Sequence, residues 1–395
     1  MLWYRVQIGA YKLKRSAEKV SVDLIEKGFK TSISKEGLLY KVRVGSFQDK
    51  PKAEKLLKRV HEHKNYRKAK ILEWDDGKGN HLPASTVDIS EGKEPEKEKS
   101  YHPAIKFVAP WFTETCESKF GDAEFFIEYE KNGIDISFVI LVDTGQDGCD
   151  TIKKLKKFGV KSNTPIYVVI SHAHGDHYGY LSEILKQFNV VHLYLPGIDG
   201  LKKYQPSYAK AIQNQEKKAK KKGIPVTYLT IAGYFEVGHI RCDCVYQVPA
   251  ERLPEHDGHK FVNNQSILTL FTLDRHGRVL LTGDLSNPGN KIVMSRVASE
   301  LLAADICKCG WHGDGNAMTE AWAKFVGALW WFWNYHHNES RGGRGNTRKK
   351  IEKAGYSVLR NYEDGDIWFD YCDGEFVLNT SKKTFKDVKF KSRFR

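Results

Sequence analysis

The sequence lacks a long apolar run and a recognisable leader segment. Its longest apolar run, residues 325–333, falls well short of the roughly 18 residues that a membrane-spanning helix needs. The first 15 residues carry basic side chains without the apolar stretch of a secretory signal. We therefore expect no transmembrane segment, and we expect synthesis in the cytoplasm.

Cysteine is scarce as well, with 7 residues in a chain of 395. So few cysteines do not form a disulfide framework, and the odd number leaves at least one thiol free. Cys242 and Cys244, like Cys307 and Cys309, are spaced as alternate residues of a strand and not as a Cys-x-x-Cys zinc or redox pair. We predict that these four residues are buried free thiols in a protein made in a reducing compartment.

Positive charge is concentrated at the beginning of the chain. Residues 1–72 contain 19 Lys and Arg against 7 Asp and Glu, so they account for +12 of the net charge of +14. The length of the chain suits two domains better than one. We predict a separate basic domain at residues 1–74 that faces an anionic or polar partner. The alternative interpretation is that the positive charge only keeps the domain soluble and does not face a partner.

The segment that follows has the composition of a linker. Residues 75–100 are rich in charged residues, Gly, Pro, Ser and Thr, and they contain too little apolar surface to form a core. We therefore predict a flexible linker at residues 75–100 and a second domain over residues 101–395.

The first domain contains an internal repeat. Residues 4–11, YRVQIGAY, align at an offset of 36 with residues 40–47, YKVRVGSF. Alternating apolar residues predict a strand in each half, and apolar stripes that begin at Ala17 and Ala53 predict a helix after each strand. A short strand closes each half. The pattern predicts a βαββαβ domain with helices on one face of a four-stranded sheet.

On these paired strands and helix starts, residues 3–72 closely resemble the SPOR domain. The resemblance implies binding to glycan strands of bacterial cell wall that have been stripped of their peptides. An RNA-recognition domain of the same topology is the alternative, but its aromatic signature is not present in these strands. We therefore expect peptidoglycan glycan strands as the partner of residues 1–74.

From residue 104 onward, segments with strand patterns alternate with segments with helix patterns. The Trp-rich segment 319–333 is predicted as a single helix. A buried strand at residues 165–170 runs directly into four potential metal ligands, which are His172, His174, Asp176 and His177.

Imidazole suits zinc and iron, and a carboxylate can complete a second, harder coordination sphere. His172 and His174 can point to one side of a loop while Asp176 and His177 point to the other. This pattern predicts two metal ions a few ångströms apart. A surface cluster of histidines is the alternative.

The pattern His172-x-His174-x-Asp176-His177 resembles the signature of the metallo-β-lactamase superfamily, and the similarity spans roughly residues 104–380. The resemblance implies an αββα sandwich that binds two Zn²⁺ ions, with Mn²⁺ or iron as alternatives. It also implies that Asp176 ligates one ion and orients the attacking hydroxide.

Later residues fall where that superfamily has its remaining conserved positions. By this resemblance, Asp143 after the strand LVD is a structural residue, Asp284 in LLTGD bridges the two ions, and His312 after KCGW is the last ligand. Residues 263–266, NNQS, and the segment RVLLTGDL resemble the branch related to the hydrolase domain of the competence protein. We expect Asn264 and Ser266 to bind substrate.

The sequence departs from the family at the third ligand of the first metal ion, because the usual Pro-Gly-His-x-x-Gly segment is missing. His256 and His259 are the nearest candidates, and His259 is the one we favour. The alternative is that water completes this site.

The predicted fold class is α/β, with an N-terminal βαββαβ SPOR-like domain followed by an αββα sandwich. We expect a dinuclear hydrolase in which a metal-bound hydroxide attacks a phosphodiester, such as one in teichoic acid or nucleic acid. Lysine clusters at 153–157 and 217–222 would steer an anionic substrate, although solvated surfaces are the simpler explanation.

Three alternatives to a wall phosphodiesterase remain. The first is a nuclease or nucleotide phosphodiesterase, and the second is a hydrolase of lactams, lactones or thioesters. The third is a wall-binding scaffold with a degenerate metal site. Since no signal is visible, we expect association with the wall after lysis or release, as for phage or sporulation enzymes.

Overall fold

The structure is a computed structural model of the chain. It describes residues 2–11, 17, 20, 24, 29, 31–36, 39–47, 49–63, 66, 67, 69–75, 103–111, 122–254, 256, 258–334 and 344–394. The chain divides into two compact units, Met1–Glu96 and Lys97–Arg395. Apart from Asp75, the predicted linker lies outside the described residues. Within the described ranges, no helix is both long and apolar enough to cross a membrane.

The described part of the first unit contains an antiparallel sheet. Its elements are β1 (Leu2–Tyr11), β2 (Thr31–Glu36), β3 (Leu39–Phe47), α1 (Lys50–Glu62) and β4 (Lys70–Asp75). The strand order is β2-β3-β1-β4, so the two repeated strands, β1 and β3, pair in the middle of the sheet.

The two halves of the repeat share one core. Val6 of β1, Val42 of β3 and Val60 of α1 are fully buried in a single apolar cluster. Ala17 and Leu24, from the helix predicted in the first half, are helical and belong to the same cluster. Most of that predicted helix lies outside the described residues. The apolar positions of the repeat therefore supply the interior of this unit.

The second unit contains two sheets in its described part. Its strands are β5 (Ile105–Ala109), β6 (Glu124–Tyr129), β7 (Ile136–Val142), β8 (Pro165–Val169), β9 (Asn189–Pro196), β10 (Val226–Leu229), β11 (Tyr234–Val237), β12 (Ile240–Gln247), β13 (Ile267–Leu273), β14 (Gly277–Leu281), β15 (Ile306–Lys308), β16 (Trp330–Trp333), β17 (Ser357–Arg360), β18 (Ile367–Cys372), β19 (Glu375–Thr380) and β20 (Val388–Lys391). One sheet has the order β10-β9-β8-β7-β6-β5-β18-β19-β20 and the other has the order β11-β12-β13-β14-β15-β16-β17.

Helices connect many of these strands. They are α2 (Thr151–Lys157), α3 (Gly175–Tyr178), α4 (Leu181–Gln187), α5 (Asp199–Tyr204), α6 (Pro206–Lys221), α7 (Gly258–Asn264), α8 (Asn287–Met294), α9 (Ser299–Leu302), α10 (Glu320–Val326), α11 (Arg344–Lys353) and α12 (Asn361–Asp364), with 3-10 turns at Ala250–Arg252 and Trp311–Gly313.

Neighbouring residues of one strand belong to different apolar clusters, which shows how the layers are arranged. Val168 and Trp331 pack with helix residues such as Leu155 of α2. Val169 and Phe332, one position further along the same strands, pack in the cluster between the two sheets. Because alternate side chains of a strand point to opposite faces, each sheet has helices on one face and the other sheet on its second face. The predicted α/β fold class is confirmed.

Aromatic side chains fill the space between the two sheets. Phe126 of the first sheet stacks on Phe271 of the second with ring centroids 4.3 Å apart, and Phe107 meets Phe332 edge to face at 5.6 Å. Such pairs contribute about 0.5–1.5 kcal/mol each beyond the burial of their surface. This aromatic layer fixes the sheets against each other and so holds the loops at their ends in place.

The Trp-rich segment differs from the prediction of one helix over residues 319–333. Helix α10 ends at Val326, because Gly327 adopts the left-handed conformation with φ +65° and closes the helix. Residues 330–333 form strand β16, which pairs in parallel with β15 and β17. The helix prediction was wrong here, since large aromatic residues favour a strand that is buried between neighbouring strands.

The prediction that four of the cysteines are buried free thiols is confirmed, while the reducing compartment stays a prediction. Cys242 and Cys244 on β12 are buried free thiols, and so are Cys307 and Cys309 at β15. Burial raises the pKa of the Cys244 thiol to about 12, so this residue stays protonated and packs as a small apolar side chain.

A buried carboxylate ties α2 to the start of β18. Asp366 is 1% exposed, and its Oδ1 accepts hydrogen bonds from Lys154 Nζ at 2.6 Å and from the Trp111 backbone N–H at 2.7 Å. Its Oδ2 accepts from Lys157 Nζ at 2.6 Å. Burial raises the pKa of Asp366, but the lysines outweigh this effect and hold it below its ordinary value. The carboxylate is therefore ionised and fully paired.

Replacing this carboxylate should destabilise the second unit. We expect Asp366→Asn to lower the free energy of unfolding by about 3–5 kcal/mol, because Lys154 is then a buried ammonium without a carboxylate. Asp370→Asn is the matched control, since it breaks only the more exposed pair with Lys106 and should cost less than about 1 kcal/mol. Urea unfolding followed by circular dichroism measures both, and equal losses would contradict the prediction.

Candidate metal centre

The candidate ligands lie where strands end. β7 and β8 run parallel in the first sheet, and β14 and β15 run parallel in the second. Asp143 follows β7, residues 172–177 follow β8, Asp284 follows β14, and His312 follows β15. Since parallel neighbours end at the same edge, each sheet presents two ligand-bearing loops at one edge, and the distances below show that the loops converge.

Four of the predicted ligands form one compact group, which we call the acidic site: Asp176, His177, Asp284 and His312. His312 Nε2 is 3.2 Å from both Asp176 Oδ2 and Asp284 Oδ2. His177 Nε2 is 3.4 Å from Asp284 Oδ2 and 3.9 Å from Asp176 Oδ2. Tetrahedral ligands bound 2.0–2.1 Å from zinc lie about 3.3 Å from one another, so these separations are compatible with ligands of a single ion.

The electrostatics of the acidic site favour a cation. His177 Nε2 is buried and has no hydrogen-bond partner. Burial alone would lower the pKa values of His177 and His312, but Asp284 and the other neighbouring carboxylates raise both well above 6.5. The group therefore attracts positive charge at the position where the four donor atoms meet, and its residues fit a divalent metal ion.

Asp143 orients one of these ligands. Its Oδ2 lies 2.8 Å from His177 Nδ1, and Ser171 donates to the same carboxylate from its backbone N–H and its hydroxyl, both at 2.7 Å. Asp143 has φ 61°, a left-handed conformation that is uncommon for a residue with a side chain. Because the Nδ1 atom is held by Asp143, the Nε2 atom of His177 faces the acidic site.

Two buried charged residues beside the site, Asp122 and Lys308, were missed by sequence analysis. Asp122 Oδ1 is 3.3 Å from His312 Nδ1, and Asp122 Oδ2 forms an ion pair with Lys308. Lys308 Nζ also donates to the Gly283 carbonyl at 2.8 Å and lies 3.6 Å from Asp284 Oδ1. A lysine inside the apolar strand ICKC was the available signal for this network, whereas Asp122 gave none.

Asp122, His177, Asp284 and His312 are also close enough to form a four-ligand group. Asp122 faces Nδ1 of His312, however, while Asp176 and Asp284 face Nε2. One imidazole cannot direct both nitrogens at the same ion. We therefore assign Asp122 the role of orienting His312, as Asp143 orients His177.

His172 and His174 form a second pair of donors, which we call the histidine site. His172 Nε2 lies 3.0 Å from His174 Nδ1. Burial lowers the pKa of His172 well below 6.5 and that of His174 to about 4. Both imidazoles are therefore neutral at physiological pH, which is the form that binds a metal ion.

The structure separates the two candidates for the third ligand of the histidine site. His259 Nδ1 lies 3.1 Å from the Nε2 atom of His174. The other nitrogen of His174, Nδ1, is the one that faces His172. His256 stacks on Tyr204, and its Nε2 lies 3.0 Å from the Ala250 carbonyl. The structure therefore brings His259 to the edge of the site and leaves His256 outside it.

Asn264 and Ser266, the residues expected to bind substrate, make internal hydrogen bonds. Asn264 Oδ1 accepts from the backbone N–H groups of Ser286 and Gly289, at the start of α8. Ser266 Oγ accepts a hydrogen bond from the Asp284 backbone N–H at 3.0 Å. Only a glycine at position 283 allows Ser266 to come this close, because a Cβ atom at that position would lie 2.6 Å from Ser266 Oγ. Both side chains support neighbouring loops, and their contact with substrate stays a prediction.

A cavity of about 800 Å³ opens beside both sites. Asp176, Asp284 and His312 border it together with His174 and His259.

Trp311 separates this opening from a smaller cavity of about 230 Å³, which Phe261 and Asn287 border. Trp311 and His312 have φ values of 46° and 50°, so two consecutive residues are held in the left-handed conformation at the site.

Two family models match the chain. Residues 4–72 match the SPOR domain, and residues 137–241 match the metallo-β-lactamase superfamily. No curated protein matches the sequence. The chain therefore contains a segment that matches the SPOR domain, followed by a segment that matches the metallo-β-lactamase superfamily. The competence-related branch stays a prediction.

Solved structures similar to the chain include proteins related to each unit. The peptidoglycan-binding domain of the Bacillus subtilis cell wall lytic enzyme CwlC is 33% identical over 19% of this chain and 92% of that chain, with a TM-score of 0.17. CmlA, a diiron β-hydroxylase from Streptomyces venezuelae, is 10% identical over 68% of this chain, with a TM-score of 0.45. This chain spans about half of CmlA, 54%. A subclass B3 metallo-β-lactamase from a soil metagenome, MEM-A1, is 14% identical over 63% of this chain and 92% of that chain, with a TM-score of 0.34.

Removing the charge of Asp143 should weaken metal binding. We expect Asp143→Asn to raise the dissociation constant for Zn²⁺ about 10- to 100-fold, because His177 loses the carboxylate that orients it. Competition with a chromogenic chelator measures the change. Asp147→Asn is the matched control, since Asp147 is an exposed carboxylate on the same cavity, and it should leave the affinity unchanged. Equal affinities of the two variants would contradict the role of Asp143.

Proposed function

We propose that the second unit hydrolyses a phosphodiester in an anionic polymer of the bacterial cell wall, and that the first unit holds the enzyme at the wall. The match to the metallo-β-lactamase superfamily and the buried group of His and Asp residues support a metal-dependent hydrolase. The observation that carries the proposal is the acidic site, with donor atoms 3.2–3.9 Å apart beside an open cavity. We propose two Zn²⁺ ions as the cofactor, with Mn²⁺ or iron as alternatives.

The proposed ligands divide the chemical work. Divalent ions at the acidic and histidine sites would supply Lewis acidity and lower the pKa of a water molecule. Asp176 is the most accessible residue of the acidic site, with 28% of its side chain exposed. Burial raises the pKa of Asp176, but His177 and His312 outweigh this effect and keep the carboxylate ionised. It can therefore accept a hydrogen bond from an incoming water molecule, which supports the catalytic role proposed for Asp176.

Helix α6 supports an anionic polymer as the substrate. Tyr208, near the start of the helix, borders the cavity, and its ring centroid lies 5.4 Å from that of His174. The following residues present exposed lysines at Lys210, Lys217, Lys218, Lys220, Lys221 and Lys222. A 16-residue helix is about 24 Å long, so positive charge continues from the cavity along the path that a phosphate-containing chain would follow.

Binding of residues 1–74 to peptidoglycan glycan strands is the second part of the proposal. It is supported by the SPOR match and by the similarity to a domain described as peptidoglycan-binding in CwlC. We further propose that the protein is made in the cytoplasm and reaches the wall after lysis or release. Teichoic acid is then the phosphodiester polymer nearest to the bound enzyme.

A nuclease is the second candidate, because the exposed lysines of α6 suit nucleic acid as well as teichoic acid. A wall-binding scaffold without activity is the third candidate. The compact acidic site argues against the scaffold, since two carboxylates and two imidazoles, the donor types that bind divalent metal ions, converge there beside a cavity.

Loss of a proposed ligand should abolish hydrolysis. We expect His174→Ala and Asp284→Ala each to lower turnover of bis(p-nitrophenyl) phosphate by more than about 100-fold, since losing a ligand should cost more than the 10- to 100-fold typical of residues that orient ligands. Removing metal with a chelator should give the same loss, and adding Zn²⁺ should restore the wild type alone.

His256→Ala is the control for this experiment, because His256 lies outside the site and should keep wild-type turnover. Unchanged turnover in either ligand variant would contradict the metal assignment. Parallel assays with teichoic acid, phosphorylcholine esters, DNA, RNA and a lactam identify the substrate class, and exclusive cleavage of the lactam would overturn the phosphodiester proposal.

The first unit should carry the wall binding. We expect residues 1–96 to sediment with purified sacculi treated with amidase, and residues 97–395 to remain in solution. Glycan binding rests on hydrogen bonds and stacking, so it should persist at moderate salt, whereas RNA binding should weaken steeply as counterions compete. Retention on RNA that falls with salt, together with no sedimentation with sacculi, would overturn this part of the proposal.

A further inference from the structure

We propose that Asn263 supplies the third ligand of the histidine site through its side-chain oxygen. The inference rests on the metal dependence proposed above and is independent of the substrate. It supplies the ligand left open by the missing Pro-Gly-His segment, for which the sequence offered His256, His259 or water.

Neither histidine faces the two donors that the histidine site presents. His172 Nε2 and His174 Nδ1 face each other at 3.0 Å, while His259 approaches the opposite nitrogen of His174 at 3.1 Å. The two nitrogens of an imidazole point in different directions, so one metal ion cannot bind both sides of the His174 ring. His259 therefore holds the orientation of His174, as residues bonded to the second nitrogen of a ligand commonly do.

Asn263 lies one helical turn after His259 on α7, and both residues border the cavity beside His174. The residue is 1% exposed, and its Oδ1 atom is buried without a hydrogen-bond partner. The Ser266 hydroxyl donates to the Asn263 backbone carbonyl at 2.7 Å and so fixes the position of the residue. A buried acceptor oxygen without a hydrogen-bond partner has the chemistry of a metal ligand.

An amide oxygen is a harder ligand than imidazole. Amide and carboxylate oxygens suit Mn²⁺ and other hard ions, whereas imidazole suits zinc, copper and iron. The histidine site should therefore bind Zn²⁺ more weakly than the acidic site, and it should discriminate less between Zn²⁺ and Mn²⁺. The two ions would then bind in sequence, with the acidic site filled first.

Calorimetric titration of the metal-free full chain with Zn²⁺ and with Mn²⁺ tests the assignment without any substrate. We expect two binding steps for the wild type and one for Asn263→Ala. Asn263→Asp should keep two steps and tighten the weaker step, because a carboxylate replaces the amide oxygen. His259→Ala is the matched control on the same helix face, and it should keep two steps, with the weaker one about 10- to 100-fold weaker still.

Thermal unfolding separates loss of the ligand from loss of the fold. Metal-free Asn263→Ala should still unfold cooperatively, with only the modest loss of stability that a small buried cavity causes. The increase in melting temperature caused by saturating Zn²⁺ should be smaller in this variant than in the wild type. Two unchanged steps in Asn263→Ala, or loss of the second step in His259→Ala alone, would overturn the assignment. A wild type that binds no metal would overturn the proposed function as well.

Discussion

The candidate metal centre depends on how the second unit balances buried negative charge. Asp122, Asp143 and Asp284 are each at most 2% exposed, and an isolated buried carboxylate is too costly to keep. Lys308, inside a strand, compensates the charges of Asp122 and Asp284. His177 lies between Asp143, which contacts its Nδ1 atom, and Asp284, which is near its Nε2 atom. These pairs connect the segments that carry Asp122, Asp143, His177 and Asp284.

Much of the fold followed from patterns of short range. The 36-residue repeat predicted the strands β1 and β3, and buried runs before Asp143, His172 and Asp284 predicted the strands that carry these residues. The Trp-rich segment failed for the opposite reason. Whether residues 330–333 form a helix or a strand is decided by β15 and β17, which are distant in sequence, so local apolar spacing could not settle it.

In the site, too, some features follow from local sequence and others depend on residues distant in sequence. The predicted ligands of the acidic site converge in the structure, because a short motif and two strand ends place them. Asp122 could not be recognised, since its role depends on a contact with His312, 190 residues away in sequence. The sequence pointed to Asn264 as a substrate-binding residue and gave Asn263 no role. Only burial and hydrogen bonding distinguish an amide whose oxygen is paired from one whose oxygen is not.

The left-handed residues Trp311 and His312 link the shape of the cavities to the position of His312, two properties that are usually altered separately. Trp311 is a wall of both cavities, and its backbone conformation also determines where His312 lies. A substitution that reshapes either cavity by relaxing this turn would displace His312, a proposed metal ligand, at the same time. Adaptation to a new substrate is therefore easier through the other walls of the cavities, such as α6 and α7, and we expect diversity among relatives to accumulate there while the turn stays constant.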